Sequence, residues 1–351
     1  MKLIKRSGVL HVTRKNITYQ FYTLKLLGLV MLGSLAVNTT HAQELDYLWS
    51  NKFGSTSYDR GNAVTTDVSG NIITVGQFYS TVDFDPGTGT TSFTSPGVGG
   101  YIQKLNGSGG LVWVKELLPP TANQSCLPRA VATDGSGNVY VAGQFYVETD
   151  FEPGAGTNSL SGSGYDGFLL KLNSSGDVQW VKQFESNSSV NLNAIAIDAS
   201  NNIYVTGTHQ GTIDLDPGTG TNIATATGSK YRLVLVKLND SGDYISGYST
   251  MESSFMDAVH LSLDNNGDVI IGGHYFSTIS VQFADASPAS YTSVSRTGYV
   301  LRLNATTETR GALWKFDGNG DDYVTDVSFD ASNNMYVAGY FETDIDVNPY
   351  S

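Results

Sequence analysis

Five copies of one pattern, spaced almost evenly, limit what this chain can fold into more than any other feature. Each copy has an Asp that opens a short polar turn, at Asp67, Asp134, Asp198, Asp264 and Asp330, so the copies lie 67, 64, 66 and 66 residues apart. From that turn an apolar stretch runs to a Gly, at Gly76, Gly143, Gly207, Gly273 and Gly339. A unit repeated at a fixed period buries its apolar face only against its neighbours, which makes the fold a repeat architecture.

The third copy shows the plan of a unit. Ala194-Ile195-Ala196-Ile197 alternates small and branched side chains, the period of two that marks a strand. The turn Ala199-Ser200-Asn201-Asn202 follows, then a second strand over 203–208 in which Gly207 marks a bulge or a close backbone approach. Leu233–Asn239 reads as a third strand, Asp240-Ser241-Gly242 as a turn, and 243–248 as a fourth strand. Abundant Gly, sparse charge and plentiful Tyr, Val, Ile, Thr and Phe agree with an all-β chain. The first-strand positions that alternate with the branched residues are small: Ala63 and Thr65, Ala130 and Ala132, Ala194 and Ala196. Smallness at one place in successive units fits strands crowded round a central axis. The expected fold is a β-propeller of four-stranded antiparallel blades, four complete and a partial fifth, with repeats starting near 63, 130, 194, 260 and 326. A parallel β-helix is the alternative, but its coils are shorter than these units.

Two further motifs recur. Asp-Phe-Asp-Pro-Gly at 83–87 has relatives at 150–154 and 214–218, and Lys-Leu-Asn precedes Trp-x-Lys, most clearly at Lys171-Leu172-Asn173 and Trp180-Val181-Lys182. The whole pattern, clearest over 130–182, resembles the bacterial β-propeller repeat often called the seven-bladed propeller repeat, over essentially all of 48–349. The resemblance implies export to the surface or exterior of the cell and no shared enzymatic activity. The chain departs from it where the fourth copy reads Ser280-Val281-Gln282-Phe283-Ala284 and where Ser246 replaces Trp. The fifth copy reaches Ser351 without its Lys-Leu-Asn strand. Leu48-Trp49-Ser50-Asn51-Lys52-Phe53-Gly54 reads as the last strand of a unit. The expectation is a truncated product, or else an open arc that associates edge to edge with another chain.

The first 42 residues differ from the rest. They hold six basic residues and no acidic one, then the apolar run 26–37 and Thr40-His41-Ala42, which reads as a secretory signal peptide over 1–42 followed by the repeat domain over 43–351. A membrane anchor is the alternative, and the run is short for one. With those six of the 20 basic residues removed, 14 face 33 acidic ones, a formal charge of −19. Such a surface repels phosphate backbones, so nucleic acid is not an expected partner. The single Cys126 cannot form an internal disulfide and reads as a small apolar residue between repeats.

The paired carboxylates Asp83 and Asp85, Asp150 and Glu152, and Asp214 and Asp216 lie at i and i+2, on one side of an extended segment, where they could offer oxygen donors to Ca²⁺. The same residues before Pro-Gly could simply build turns. The fifth copy offers Asp346 and Asn348, and a loop over 317–322 matches a calcium loop only at its start. His260 and Asp326 break the small-residue rule at equivalent positions of adjacent units, so they are expected to meet, either as a ligand-binding pair or as a polar pair bonded within the channel. Aromatics after the strand Gly, at Phe78, Tyr79, Phe145, Tyr146, Tyr275, Phe276, Tyr340 and Phe341, could stack on sugars or pack between blades. No Gly-x-Ser-x-Gly, His-Glu-x-x-His, phosphate loop or Cys-x-x-Cys occurs. The expected function is an exported, non-catalytic scaffold that binds protein or polysaccharide outside the cell or in its envelope. A carbohydrate-active lyase or hydrolase at the channel mouth and a fragment without function are the alternatives.

Overall fold

The computed structural model describes residues 48–152, 158–281, 289–304, 310–318, 320–342 and 345–346. The proposed signal peptide and the Asp346–Asn348 pair lie outside the residues whose side chains are described.

Four units each form an antiparallel meander of four long strands. The first comprises β1 (Arg60–Thr66), β2 (Ile72–Asp83), β3 (Ser92–Leu105) and β4 (Leu111–Leu117). The second comprises β5 (Ser125–Thr133), β6 (Val139–Asp150), β7 (Ser159–Leu172) and β8 (Val178–Phe184). In the third, β9 (Ser189–Ile197) pairs with β10 (Ile203–Gln210), and the short hairpin of β11 (Thr212–Asp214) and β12 (Ile223–Thr225) precedes β13 (Tyr231–Leu238) and β14 (Tyr244–Ser253). The fourth comprises β15 (Phe255–Leu263), β16 (Val269–Val281), β17 (Ala289–Leu303) and β18 (Arg310–Gly318). Then β19 (Asp322–Phe329) pairs with β20 (Met335–Phe341), and β21 (Ile345–Asp346) returns to β18.

The Asp of each turn closes the hairpin between first and second strands. Asp198 Oδ1 accepts the backbone N–H groups of Ser200 and Asn202, at 2.8 and 2.9 Å, while Oδ2 accepts the Asn202 amide at 2.8 Å. The left-handed residue such a turn needs is Gly70, Gly137 or Gly267 in three units and Asn201 or Asn333 in the other two. Gly and Asn are the residues that take up this conformation at least cost.

The strand Gly has a different cause. In all five units the first strand carries a bulge opposite it, which leaves Asn62, Arg129, Asn193, Val259 and Thr325 unpaired. The bulge presses a carbonyl oxygen onto the Gly Cα. A Cβ on Gly76, Gly143, Gly207, Gly273 or Gly339 would overlap the carbonyl of Arg60, Leu127, Asn191, Asp257 or Tyr323. The first strands therefore begin three to five residues before the small-residue signal, which marks only their second halves. Cys126 lies within β5 and is fully buried, so it belongs to a first strand and not to a connection between repeats. Burial pushes its thiol pKa well up.

The core lies between units. Leu192, Val205 and Val234 of the third unit pack with Tyr140, Ala142 and Leu169 of the second. Tyr204, Leu233 and Leu235, from the same strands, pack with Ile271, Tyr275 and Leu301 of the fourth. Ile270, Val300 and Phe316 then meet Val324 and Val327. First strands of successive units are neighbours throughout, β1 with β5, β5 with β9, β9 with β15 and β15 with β19. This arrangement is what the small residues on those strands permit.

Hydrogen bonds at the periphery repeat as well. Trp113 Nε1 and Lys104 Nζ both donate to the Ser174 carbonyl in the next unit, at 3.2 and 3.0 Å, and Trp180 and Lys171 do the same to Asp240, at 3.3 and 3.0 Å. Trp49 donates to Gly107 at 3.0 Å in the same manner. Residues 48–59 nevertheless form no strand, which corrects the expectation of a last strand there. The described residues offer that segment no third strand to pair with. Its side chains still keep their places: the indole stays on the turn, Asn51 donates to the Gly109 carbonyl at 2.7 Å, and Phe53 packs on Phe84 and Tyr101.

Candidate functional site

The acidic loops are built as turns. Phe84, Phe151 and Leu215, the middle residues, are buried and leave the flanking carboxylates outside the core. Asp83 Oδ1 accepts the N–H groups of Asp85 and Thr91 at 3.0 and 2.9 Å, and these bonds hold its carboxyl below the usual range. Asp150 takes Glu152 and Asn158, and Asp214 takes Asp216 and Asn222, in the same way. Asp85 and Asp216 each accept a further N–H, from Gly87 and Gly218, both at 2.8 Å. One oxygen of five of these six carboxylates is thus occupied by backbone. Among the described residues no three His, Cys, Asp or Glu side chains gather as a metal site.

The carboxylates of the loop over 317–322 turn to separate partners. Asp317 accepts the Ser293 and Thr297 hydroxyls at 3.1 Å each, Asp321 pairs with Arg296 at 2.9 Å, and Asp322 is buried. Burial, helped by Asp317, lifts the Asp322 carboxyl to about 6. The loop joins the fourth unit to the strand pair that follows it.

His260 and Asp326 do meet. His260 Nδ1 lies 2.8 Å from Asp326 Oδ1, across the contact between β15 and β19. A third residue, missed in the sequence, completes the arrangement: Ser262 Oγ stands 2.9 Å from His260 Nε2. Ser262 follows His260 by two on one strand, so period-two alternation places both on one face, and that was the available signal. The His260 side chain is 13% exposed and that of Asp326 is 68% exposed. Burial lowers the imidazole pKa, and Asp326 only partly restores it. The ring is therefore neutral near pH 7, with Nδ1–H donating to the carboxylate and Nε2 accepting from the hydroxyl.

Other unlike polar groups lie on the first strands. Asn62 donates to the Pro128 carbonyl at 2.7 Å, and Asn193 donates to Asp257 Oδ1 at 2.7 Å. Burial lowers the Arg129 pKa and Arg60 adds to this, while Asp257 opposes both. By contrast His209 is a core residue, its Nε2 2.8 Å from Ser249 Oγ, and burial lowers its pKa to about 4.

The aromatics divide by burial. Phe78, Phe145 and Tyr275 are core, whereas Phe276 and Tyr340 are exposed, together with Tyr58 and Tyr165. Register sets the outer rings at one end of the first strands. Arg60 pairs with Gln77 two residues before Tyr79, Ser125 pairs with Tyr146, Phe255 with Phe276, and Tyr323 with Tyr340. Tyr146 packs against Tyr165 at 4.7 Å between ring centres, and His274 against Tyr323 at 4.6 Å.

Residues 179–210, from the last strand of the second unit through β10, match the family model for the SBBP β-propeller repeat. The chain is a β-propeller-repeat protein. Its units are blades, and the first strands line the propeller axis. A WD repeat-containing protein of Acanthamoeba polyphaga mimivirus, itself uncharacterized, is 21% identical across 65% of this chain. The propeller chain spans 19% of that relative's length. Among solved structures it is similar to a protein of unknown function from Bacteroides caccae, with TM-score 0.39, 12% identity, and 80% of this chain and 70% of that one covered. It is also similar to virginiamycin B lyase from Staphylococcus aureus, with TM-score 0.26, 10% identity, and 80% and 91% covered.

Proposed function

We propose that this propeller is an exported binding scaffold, carried out of the cell by the signal over 1–42, that holds a polysaccharide at the end of the axis where the first strands begin. The observation that carries this reading is the set of outward-facing rings there. Tyr165 and Phe276, in the second and fourth blades, are exposed, although burial would have been the favourable fate for such large apolar surfaces. Aromatic faces suit the C–H faces of sugar rings, and rings from more than one blade suit an extended chain. A protein partner at the same end is the broader form of the proposal.

Affinity electrophoresis of the full chain in gels cast with starch, hydroxyethyl cellulose or alginate tests it. Retardation on at least one gel is expected, with loss in a Tyr165→Ala/Phe276→Ala variant that melts at the wild-type temperature. Equal mobility of both proteins on every gel would remove the polysaccharide reading. A second reading, a hydrolytic site on the axis, is favoured by one arrangement, the line of Asp326, His260 and Ser262.

A further inference from the structure

We propose that Ser262, His260 and Asp326 form a nucleophilic site that takes carboxylic esters. The propeller repeat assigns no role to these positions. Their equivalents in the other units are Ala63, Ala130 and Ala194 for His260 and Asp326, and Thr65, Ala132, Ala196 and Ser328 for Ser262. Packing round the axis needs only small side chains, which Ser262 satisfies, so it is the imidazole and the carboxylate in line with its hydroxyl that the fold does not explain.

The geometry supplies the parts that activate a serine. Asp326 Oδ1, 2.8 Å from Nδ1, fixes the tautomer that leaves Nε2 as an acceptor, and Ser262 Oγ lies 2.9 Å from that acceptor. A nucleophile within hydrogen-bond reach of a base, itself oriented by a third group, is recognised by these roles and not by chain order or fold. The imidazole is neutral at pH 7, the state a base needs.

The step balances without any further reactant. Ser262 Oγ bonds to the ester carbonyl carbon as its proton passes to His260 Nε2. The bond from that carbon to the alcohol oxygen breaks, and the alcohol leaves with the proton. Water then gives a proton to the same nitrogen, adds to the acyl carbon and displaces Ser262, which regains its proton as the acid departs. The exposure of Asp326 sets the substrate class. A carboxylate in contact with water supports the imidazolium less than a buried one does, so the site suits esters with good leaving groups and not amides.

The inference goes beyond binding and does not depend on it. The full chain is incubated with a fluorophosphonate probe, digested and mapped by mass spectrometry, with release of 4-nitrophenol from 4-nitrophenyl acetate followed in parallel. The expected result is an adduct on Ser262, formed at a rate that rises with pH through a midpoint below 6.5. His260→Gln should lower that rate at least tenfold, and Asp326→Asn by less. The Ser262→Ala variant should take up no probe and release 4-nitrophenol no faster than buffer. Absence of the adduct from the wild-type peptide overturns the proposal, as does an unchanged rate in His260→Gln. Mapping the wild-type chain needs no variant to fold. Gel retardation reads the aromatic rings, so the two tests can fail separately.

Discussion

At Gly207 the backbone of one strand is pressed against that of the next, because the β9 bulge drives the Asn191 carbonyl into the space a side chain would occupy. An added methyl group cannot escape by rotating, since its neighbour is main chain. Gly207→Ala is expected to lower unfolding free energy in urea by roughly 2–4 kcal/mol, at or above the usual range for overpacking. Gly135 is the control, with open space where its Cβ would go and no left-handed backbone. Gly135→Ala should shift stability by about 0.5 kcal/mol or less. Similar losses at both positions would mean that the bulge does not set the requirement for Gly. The five Gly positions were legible in the sequence, and so was the choice between bulge and close approach, which prove to be one feature. Which first-strand residue is the extra one was not legible. One extra residue breaks the period of two, so the alternation is readable only from Ala194 although the strand starts at Ser189.

At the scale of elements, strand order and turn chemistry were readable, and the ion pairs joining them were not. Lys104 on β3 reaches Asp67 in the turn between β1 and β2, at 2.8 Å, with both side chains buried. The repeat of Lys-Leu-Asn shows that a Lys recurs, but not that its partner lies some forty residues earlier. Burial alone would raise the Asp67 carboxyl. The Asn71 amide, Lys104 and the N–H groups of Asn71 and Ser69 outweigh it and bring the pKa from 3.8 to about 2. A folded-state pKa below the unfolded one gives stability that is present above about pH 4 and lost as pH falls toward 2. Asp67→Asn keeps an acceptor for the turn but not the charge that meets Lys104. The variant should be less stable than wild type by on the order of 1–2 kcal/mol at pH 7, and the gap should narrow below pH 4. Urea titrations of both proteins at pH 7, 4 and 3 check this. A gap that stays constant to pH 3 would show that geometry, not charge, is lost. The His260–Asp326 pair was legible because equivalent positions in adjacent repeats become neighbours, whereas Ser262 passed as one more small residue.

Across the whole molecule, burial depends on having a blade on each side. The residue three before the strand Gly is Ile73, Tyr140, Tyr204 or Ile270 in four blades, each no more than 4% exposed, and Tyr336 in the fifth, 46% exposed. Sequence alone treats these five positions as one. Their difference belongs to packing with neighbours, which is where a repeat protein holds its stability. Local opening should therefore cost least at β19 and β20, where Met335–Phe341 is largely exposed, and most at β6, β10 and β16, which the cores on both sides enclose. Hydrogen exchange followed by mass spectrometry reads this directly. Peptides covering Met335–Phe341 should exchange soonest among the second strands, those covering Val139–Phe145 and Ile203–Thr208 last, and those from Ile72–Phe78 between them. The gradient has a physical source in the open side of Tyr336, so it should persist when the exchange rates are corrected for sequence. Uniform protection across all five second strands would mean that the blades open as one body and that contacts between them do not ration stability along the chain.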